Sequence, residues 1–116
     1  MKLASKITVY VDGAKIPMEN GAKFAPGGVT RKPERHGGRT YHTGEEVPPR
    51  VIGTVLHTKD TDIIGLSNIE GATVMITDDV GHKYVMTDAY TQDVLELDGS
   101  TGKSTLTLFG DQFEPV

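Results

Sequence analysis

A glycine-containing stretch near the carboxyl terminus has residue types that could bind a nucleotide phosphate. Residues 98–105 read DGSTGKST, and their Gly-Lys-Ser ending matches that of a phosphate-binding loop. Such a loop also needs a glycine five residues before that ending, where this chain has Leu97, and a helix directly after it. Residues 103–111 instead contain Leu106 and Leu108 alternating with Thr105 and Thr107, which predicts a strand. The sequence therefore favours a hairpin turn, with Gly99 and Gly102 supplying unusual φ values, over a nucleotide site.

The other residues that could do chemistry are histidines and aspartates. The chain has no cysteine, and no histidine has a partner at helical metal-ligand spacing. The histidines are His36, His42, His57 and His82. Asp78, Asp79 and Asp98 lie in predicted turns, where aspartate side chains commonly bond to nearby backbone. The sequence therefore predicts no catalytic residue, no metal site and no cofactor.

Length and composition indicate one β-rich domain. A chain of 116 residues is near the commonest domain size, and its 14 glycines and six prolines indicate many turns. Its amino-terminal sequence alternates and does not form the apolar run of an export signal, and no stretch approaches the roughly 18 apolar residues of a membrane span. We expect a single domain over residues 1–116, with no membrane contact.

Charge is distributed unevenly along the chain. Residues 1–58 contain nine Lys and Arg against five Asp and Glu, whereas residues 59–116 contain three against eleven. This pattern lacks the dominant basic character of a nucleic-acid-binding domain. Either the two kinds of charge mix on the folded surface, or the molecule has ends of opposite charge that attract between copies.

Alternating apolar and polar residues predict strands along most of the chain. The predicted strands cover residues 7–11, the segment around Ile16 and Met18, 50–58, 72–79, 82–90, and a last pair at 93–99 and 103–111. Asp12-Gly13 favours a tight hairpin turn because its central residues tolerate positive φ. Residues 79–81 predict a second tight turn.

One segment has helical spacing instead. Residues 59–71 predict a short helix, with Asp60 or Thr61 as its N-cap and Gly71 at its end. Its apolar set consists of Ile63, Ile64, Leu66 and Ile69.

The region from residue 21 to residue 50 contains few apolar side chains. It includes two Gly-Gly pairs and one Pro-Pro pair, with short strands predicted at 23–25 and 39–43. A segment of this kind is disordered, contains misassigned elements, or forms a functional arm. A long hairpin here has too little apolar surface to offset its ordering entropy alone, so a neighbouring molecule would have to cover it.

Threonines recur in the predicted strands. They are Thr73, Thr77, Thr87, Thr105 and Thr107. The simpler interpretation is the solvent face of a sheet, because threonine is polar and favours strands. The alternative is a polar, non-adhesive face that lines a channel.

The order of these features resembles the tail tube proteins of Mu-like contractile-tailed phages. The resemblance covers nearly the whole chain and lies in the order and spacing of several segments. They read ITVYVDG (residues 7–13), FAPGGVTRKP (24–33), VIGTV (51–55), KDTDIIGLSNIEGATV (59–74) and GHKYVMTDAYTQDVLELDGSTGKSTLTLFG (81–110).

This resemblance implies a structural protein with a β-sandwich or half-barrel, one short α-helix and a long extended hairpin arm. Members form hexameric rings that stack head to tail into a hollow tube, through which phage DNA passes inside a contractile sheath. The implied partners are other copies of the chain, the tail sheath protein, and the tape-measure and baseplate proteins. The implied location is the virion tail, assembled in the cytoplasm of the host bacterium.

On this hypothesis the arm contacts neighbouring subunits, and a strand face bearing threonine and aspartate lines the lumen. The expected subunit contacts are Phe24, Pro26, Val29, Arg31, Arg35 and Tyr41. The expected lumen residues are Thr73, Thr77, Thr87, Thr105 and Thr107. Two alternatives stay open: a monomeric β-sandwich binding module, and a tube subunit of a type VI-like secretion system.

Overall fold

The computed structural model describes residue 3, residues 6–19 and residues 21–116. Ten strands and one helix lie in this part of the chain. In chain order they are β1 (Ile7–Val11), β2 (Ala14–Lys15), β3 (Lys23–Ala25), β4 (Gly28–His36), β5 (Arg39–Val47), β6 (Arg50–Leu56), α1 (Ile63–Ser67), β7 (Ala72–Asp78), β8 (Lys83–Thr91), β9 (Lys103–Phe109) and β10 (Gln112–Pro115).

Eight strands form one antiparallel sheet that folds over on itself. Its strand order is β2-β1-β7-β8-β9-β6-β3, and β10 pairs with β8. The first part of β8 pairs with β7 and β10, and its last residues, Tyr90 and Thr91, pair with β9. Strand β8 therefore links the two halves of a sandwich. The predicted mainly β sandwich with one short helix and a hairpin arm is confirmed.

The core lies between the two halves, and strand alternation places its residues there. Val9, Val74, Ile76 and Met86 come from β1, β7 and β8, whereas Val51, Val55, Leu106 and Leu108 come from β6 and β9; all eight are fully buried. Burial of a side chain of this size stabilises the fold by roughly 1.5–3 kcal/mol. These eight side chains hold the two halves together.

The predicted hairpin turns are present. Asp12 and Gly13 have φ values of 49° and 86°, as a type I′ turn requires. In the turn after β7, the Asp78 carboxylate accepts hydrogen bonds from the backbone N–H groups of Val80 and His82 at 3.0 and 2.9 Å. The prediction for Ile16 and Met18 needs correction, because β2 ends at Lys15 and Met18 makes only an isolated bridge to Val55.

The helix is shorter than predicted, and its cap is a different residue. Asp62 is the N-cap and accepts a hydrogen bond from the Gly65 N–H at 3.0 Å, so neither Asp60 nor Thr61 has this role. Thr61 instead donates from its hydroxyl to the Leu56 carbonyl and helps to close the loop after β6. The helix ends at Ser67, four residues before Gly71.

The prediction of a strand at 93–99 is wrong. Residues 93–99 lie outside the named strands, and only Asp98 makes an isolated bridge to Lys103 at the start of β9. Leu95 is buried there, and its N–H donates to the Ser67 hydroxyl at 3.0 Å. The apolar alternation of this segment therefore reflects a loop that covers the core beside α1.

Three aromatic rings join the edges of the two halves. Phe24 of β3 lies 5.3 Å from Tyr84 of β8 and 5.7 Å from Phe113 of β10, measured between ring centroids. Tyr84 and Phe113 are themselves 5.3 Å apart. This cluster fixes the end of β3, from which the arm begins, to the carboxyl-terminal strand.

Gly110 gives a direct test of core packing. A Cβ atom at this position would overlap the Met86 side chain and lie 3.0 Å from the Thr87 carbonyl oxygen. We predict that Gly110→Ala lowers the free energy of unfolding by about 1–3 kcal/mol, because the overlap must be relieved by shifts in a closed core. Chemical unfolding followed by circular dichroism measures this change.

The matched control is Gly99→Ala. No heavy atom lies within 4 Å of a Cβ at Gly99, and its φ is not positive. We expect this substitution to change the unfolding free energy by no more than about 0.5 kcal/mol. Equal effects at the two glycines would contradict the packing described for Gly110.

Candidate functional site

The arm is a two-stranded hairpin that buries none of its own residues. Strands β4 and β5 pair only with each other, from Gly28 opposite Val47 to His36 opposite Arg39. Every residue of both strands is exposed. These strands are longer than the single short strand predicted at 39–43, because backbone pairing extends well beyond the few apolar side chains. The prediction of a strand at Lys23–Ala25 is confirmed.

A packed elbow joins the arm to the sandwich. Strands β3 and β6 pair up to Ala25 opposite Arg50, and the arm begins after two intervening residues on each side, at Gly28 opposite Val47. Three of the four intervening residues are prolines, which have no N–H for a ladder bond. Gly27 has a φ of 77°, and a Cβ there would lie 2.7 Å from the Pro49 nitrogen. Pro49 is buried, and its carbonyl accepts a hydrogen bond from Gly110 at 3.1 Å.

One face of the arm is basic. Side chains of paired and alternate residues share a face, so Val29, Arg31 and Arg35 lie together with His42. The only carboxylate on this face is that of Glu46, which pairs with Val29 near the elbow. Arg35 donates to the Thr40 hydroxyl at 3.2 Å and the Gly38 carbonyl at 3.3 Å, which holds it at the tip. We call this surface the basic face.

The opposite face of the arm has balanced charge. Lys32 and Arg39 lie there with Glu34 and Glu45. Tyr41 also lies on this face, where its ring centroid is 6.3 Å from that of His36. We call this surface the mixed face. The predicted contact residues of the arm are therefore divided, with Val29, Arg31 and Arg35 on the basic face and Tyr41 on the mixed face.

Two predicted contact residues lie outside the hairpin. Phe24 is half-buried in the aromatic cluster of its own chain, so only part of its ring is accessible to a neighbour. Pro26 is exposed at the elbow. Their contacts with a second subunit stay predictions.

The predicted lumen threonines do not share one surface. Thr73, Thr77 and Thr87 point outward from β7 and β8, whereas Thr105 and Thr107 point outward from β9 on the other half of the sandwich. A lumen that borders one outer face would include only one of these sets. Sequence reasoning also omitted an outward-facing threonine of β6, Thr54, which pairs with Thr105. The alternation of buried and half-buried residues in β6 is the pattern that would have indicated it.

The stretch that resembles a phosphate-binding loop is a turn. Strand β9 begins at Lys103, as the alternation predicted, and Lys103 forms an ion pair with Glu19. Gly102 has a φ of 70°, but Gly99 does not have a positive φ, which corrects the prediction for Gly99. The Asp98 carboxylate shapes the turn by accepting hydrogen bonds from the Ser100 hydroxyl at 2.7 Å and the Ser100 N–H at 2.9 Å. These bonds lower the pKa of Asp98 from its usual 3.8.

Neither a metal site nor a membrane helix is found in the described part of the chain. Residues 3, 6–19 and 21–116 contain no group of three or more His, Asp or Glu side chains placed to hold a metal ion. Within the same ranges, no helix has the length and apolar character needed to span a membrane.

The fold is similar to those of tube and cap proteins from contractile assemblies. The cryo-EM structure of the anti-feeding prophage cap, which terminates its tube, has a TM-score of 0.67 and 14% identity, covering 97% of this chain and 88% of its own. The sheath/tube terminator of an extracellular contractile injection system has a TM-score of 0.66 and 17% identity over 96% of this chain and 93% of its own. A chain of the sheath-tube complex of an extracellular contractile injection system has a TM-score of 0.64 and 16% identity, covering 97% of this chain and 90% of its own. At these identities the likeness defines the class of fold.

Sequence comparison then identifies the family. Residues 1–115 match the family model described as phage tail tube protein. The Mu-like prophage FluMu tail tube protein of Haemophilus influenzae is 31% identical over 94 residues, which are 78% of this chain and 79% of that protein. The chain therefore belongs to the phage tail tube protein family. This is a family of structural components of the virion tail and not a family of enzymes.

The elbow packing predicts a specific effect of Gly27→Ala. The substitution forces an alanine into a φ of 77° and against Pro49, so we expect a loss of about 1–2 kcal/mol in local stability and a changed arm direction. Because the chain has no cysteine, spin labels at Thr43→Cys and Ser100→Cys can report the distance between arm and body. We expect Gly27→Ala to shift or broaden that distance distribution.

Gly38→Ala is the control for this experiment. Gly38 has a φ of 78°, and no heavy atom lies within 4 Å of a Cβ placed there. Alanine at this position therefore has the same unfavourable φ as at Gly27 but no clash with a neighbouring residue. Its arm-to-body distance should match that of the labelled parent. If the two alanine variants gave the same distribution, the arm direction would not depend on the contact between Gly27 and Pro49.

The Asp98 turn predicts a small pH-dependent contribution to stability. Its folded pKa is lowered, so as pH falls the unfolded chain takes up the proton first. The stabilisation is complete above about pH 5 and is lost as pH falls through the folded pKa, below 3.8. Asp98→Asn keeps an oxygen acceptor for the Ser100 N–H, so its unfolding free energy should fall less than that of the wild type between pH 6 and pH 3. Identical pH profiles would argue against this role of Asp98.

Proposed function

We propose that this protein is the repeating structural subunit of a phage tail tube. Hexameric rings stack head to tail into a hollow tube, through which DNA passes inside a contractile sheath. The observation that carries the proposal is the arm, a hairpin with no buried residue that is held away from the body by a packed elbow.

An arm of this kind needs a partner to be ordered in solution. An isolated two-stranded hairpin is at best marginally stable in water, and fixing each backbone residue costs about 1–2 kcal/mol. A neighbouring subunit supplies the missing contacts, with Val29, Arg31, Arg35 and Tyr41 on the arm and Phe24 and Pro26 at its base.

Unpaired strand edges favour ring closure. The sandwich leaves β2, β3 and β10 as edge strands among the described residues, and such edges invite pairing with another chain. Head-to-tail contacts between identical copies form a ring when the rotation closes. Closure of six copies joins their sheets around a lumen, bordered by one outer face and its threonines.

The family implies further partners and a location. We propose that the subunit is a single domain over residues 1–116 and contacts the tail sheath, tape-measure and baseplate proteins. It lets DNA pass without reading its sequence, and it assembles in the cytoplasm of the host bacterium. Support comes from the Mu-like prophage relative and from the fold shared with a sheath-tube complex.

A secretion or injection tube is the second candidate. The structures with the same fold include an anti-feeding prophage cap and an extracellular contractile injection system. Genes for DNA packaging and capsid proteins beside this gene favour the phage tube, and their absence favours the injection tube. The monomeric binding module is a third reading, and sedimentation velocity over a concentration series distinguishes it.

Shortening the arm tests this proposal. Replacing residues 31–44 with Asn-Gly places a two-residue turn between Thr30 and Glu45, which pair across the hairpin. We predict that the shortened chain forms no rings or tubes in negative-stain electron microscopy, whereas the full chain forms both.

The folded body controls for misfolding of the shortened chain. None of the removed residues is buried, so its thermal unfolding should stay close to that of the full chain. Normal tubes from a correctly folded shortened chain would rule out the assigned role of the arm.

A further inference from the structure

We infer that the basic face of the arm docks into an acidic groove at the base of the arm of a second copy. The inference rests on the proposed function, and it names the two surfaces that meet. The basic face carries Arg31 midway along the hairpin and Arg35 near its tip, and the groove lies beside the elbow at the other end of the same hairpin. One copy therefore presents both halves of the contact.

The groove consists of two adjoining depressions. The first lies under the elbow and is lined by residues 26–29 and 46–49, together with Gly110 and Asp111. The second is a cavity of about 650 Å³ that also borders Gly110 and Asp111 and extends to α1 and the end of β8. Because Gly110 and Asp111 line both, the two depressions adjoin each other.

Charge in the groove is of one sign. Its carboxylates are those of Glu46, Glu70, Asp88 and Asp111, and no lysine or arginine lines either depression. Among the residues the structure describes, none of these four carboxylates accepts a hydrogen bond or forms an ion pair. A surface of this kind fits a cationic partner, and complementary charge steers association between proteins.

The groove also contains an aromatic surface suited to arginine. Tyr90 lines the second depression and is 47% exposed, and its ring lies 6.2 Å from that of Phe109. A guanidinium group stacks on such a ring while it pairs with neighbouring carboxylates. Val29 and Val47 add apolar surface near the elbow, where they are 45% and 38% exposed.

The basic face fits this groove better than the mixed face does. Beyond Glu46, the basic face bears Arg31, Arg35 and His42 with no carboxylate. On the mixed face, Glu34 and Glu45 offset Lys32 and Arg39, so its net attraction to an acidic surface is small.

A contact between the tip of one copy and the elbow of the next is heterologous. Each copy offers a free tip and a free groove, so the contact propagates from copy to copy and does not end at a dimer. This is the contact geometry that a ring or a stack of rings requires.

Charge reversal on each side tests the contact. The arm variant is Arg31→Glu with Arg35→Glu, and the groove variant is Glu70→Lys with Asp111→Lys. Asp88 is left unchanged because its φ of 55° makes it a poor position for other side chains. The control is Lys32→Glu with Arg39→Glu, which makes the same change in net charge on the mixed face.

The measured quantity is the concentration at which assembly begins, from sedimentation velocity at about 50 mM salt, with electron microscopy of the products. We expect the arm and groove variants each to raise this concentration at least about tenfold, and the control variant to raise it less than about threefold. An equimolar mixture of the arm and groove variants should assemble near the wild-type concentration. In an alternating arrangement, each reversed arm meets a reversed groove and each unchanged arm meets an unchanged groove.

Different results separate this inference from the proposed function. Tubes that form equally well from the arm and groove variants would support the tube and overturn the docking contact. If the protein formed open filaments without rings, and mixing the two variants restored their assembly, the result would support the docking contact and contradict the ring and the tube. Wild-type protein that stays monomeric at all concentrations would contradict both. A fourth result would also overturn the inference. In it, the wild-type protein binds double-stranded DNA, the arm variant binds DNA more weakly, and mixing the arm and groove variants does not restore assembly.

Discussion

The contact between Gly27 and Pro49 is the constraint on which the rest of the structure depends. A single long hairpin runs from β3 and β4 back through β5 and β6, and three prolines interrupt its ladder at this point. On one side of the contact the hairpin joins the sandwich, where Val51 and Val55 are fully buried. On the other side it leaves the body with no buried residue. The elbow therefore separates the part of the chain that contains the core from the part that buries no residue.

The strands and the arm could be predicted because their signals are local. Alternation identified β1, β6, β7, β8 and β9, and the lack of apolar residues between residues 21 and 50 indicated a segment that lies outside the core. Asp12-Gly13 predicted its own turn through the φ values that those residues tolerate. These signals depend only on neighbours in the sequence.

The errors arose where distant residues decide local structure. Residues 93–99 alternate like a strand, but Leu95 is buried in the core and its N–H bonds to the Ser67 hydroxyl of α1. The N-cap of α1 is Asp62 and not Thr61, whose hydroxyl donates instead to the Leu56 carbonyl. That the candidate lumen threonines divide between two strand sets was not visible either, because sequence does not show which half of a sandwich each strand enters. The acidic groove was not predicted, since its carboxylates come from separate segments that meet only after folding.

In the proposed tube, the contacts that matter lie on the surface of each copy, and a neighbouring copy orders the arm. The most direct measurement is a cryo-EM reconstruction of the assembled wild-type protein at a resolution that traces β4 and β5. We predict a hollow tube of six-fold rings in which the basic face of each arm lies against the body of another copy. Tubes whose arms extend into solvent without touching a neighbour, or a protein that remains monomeric, would contradict it.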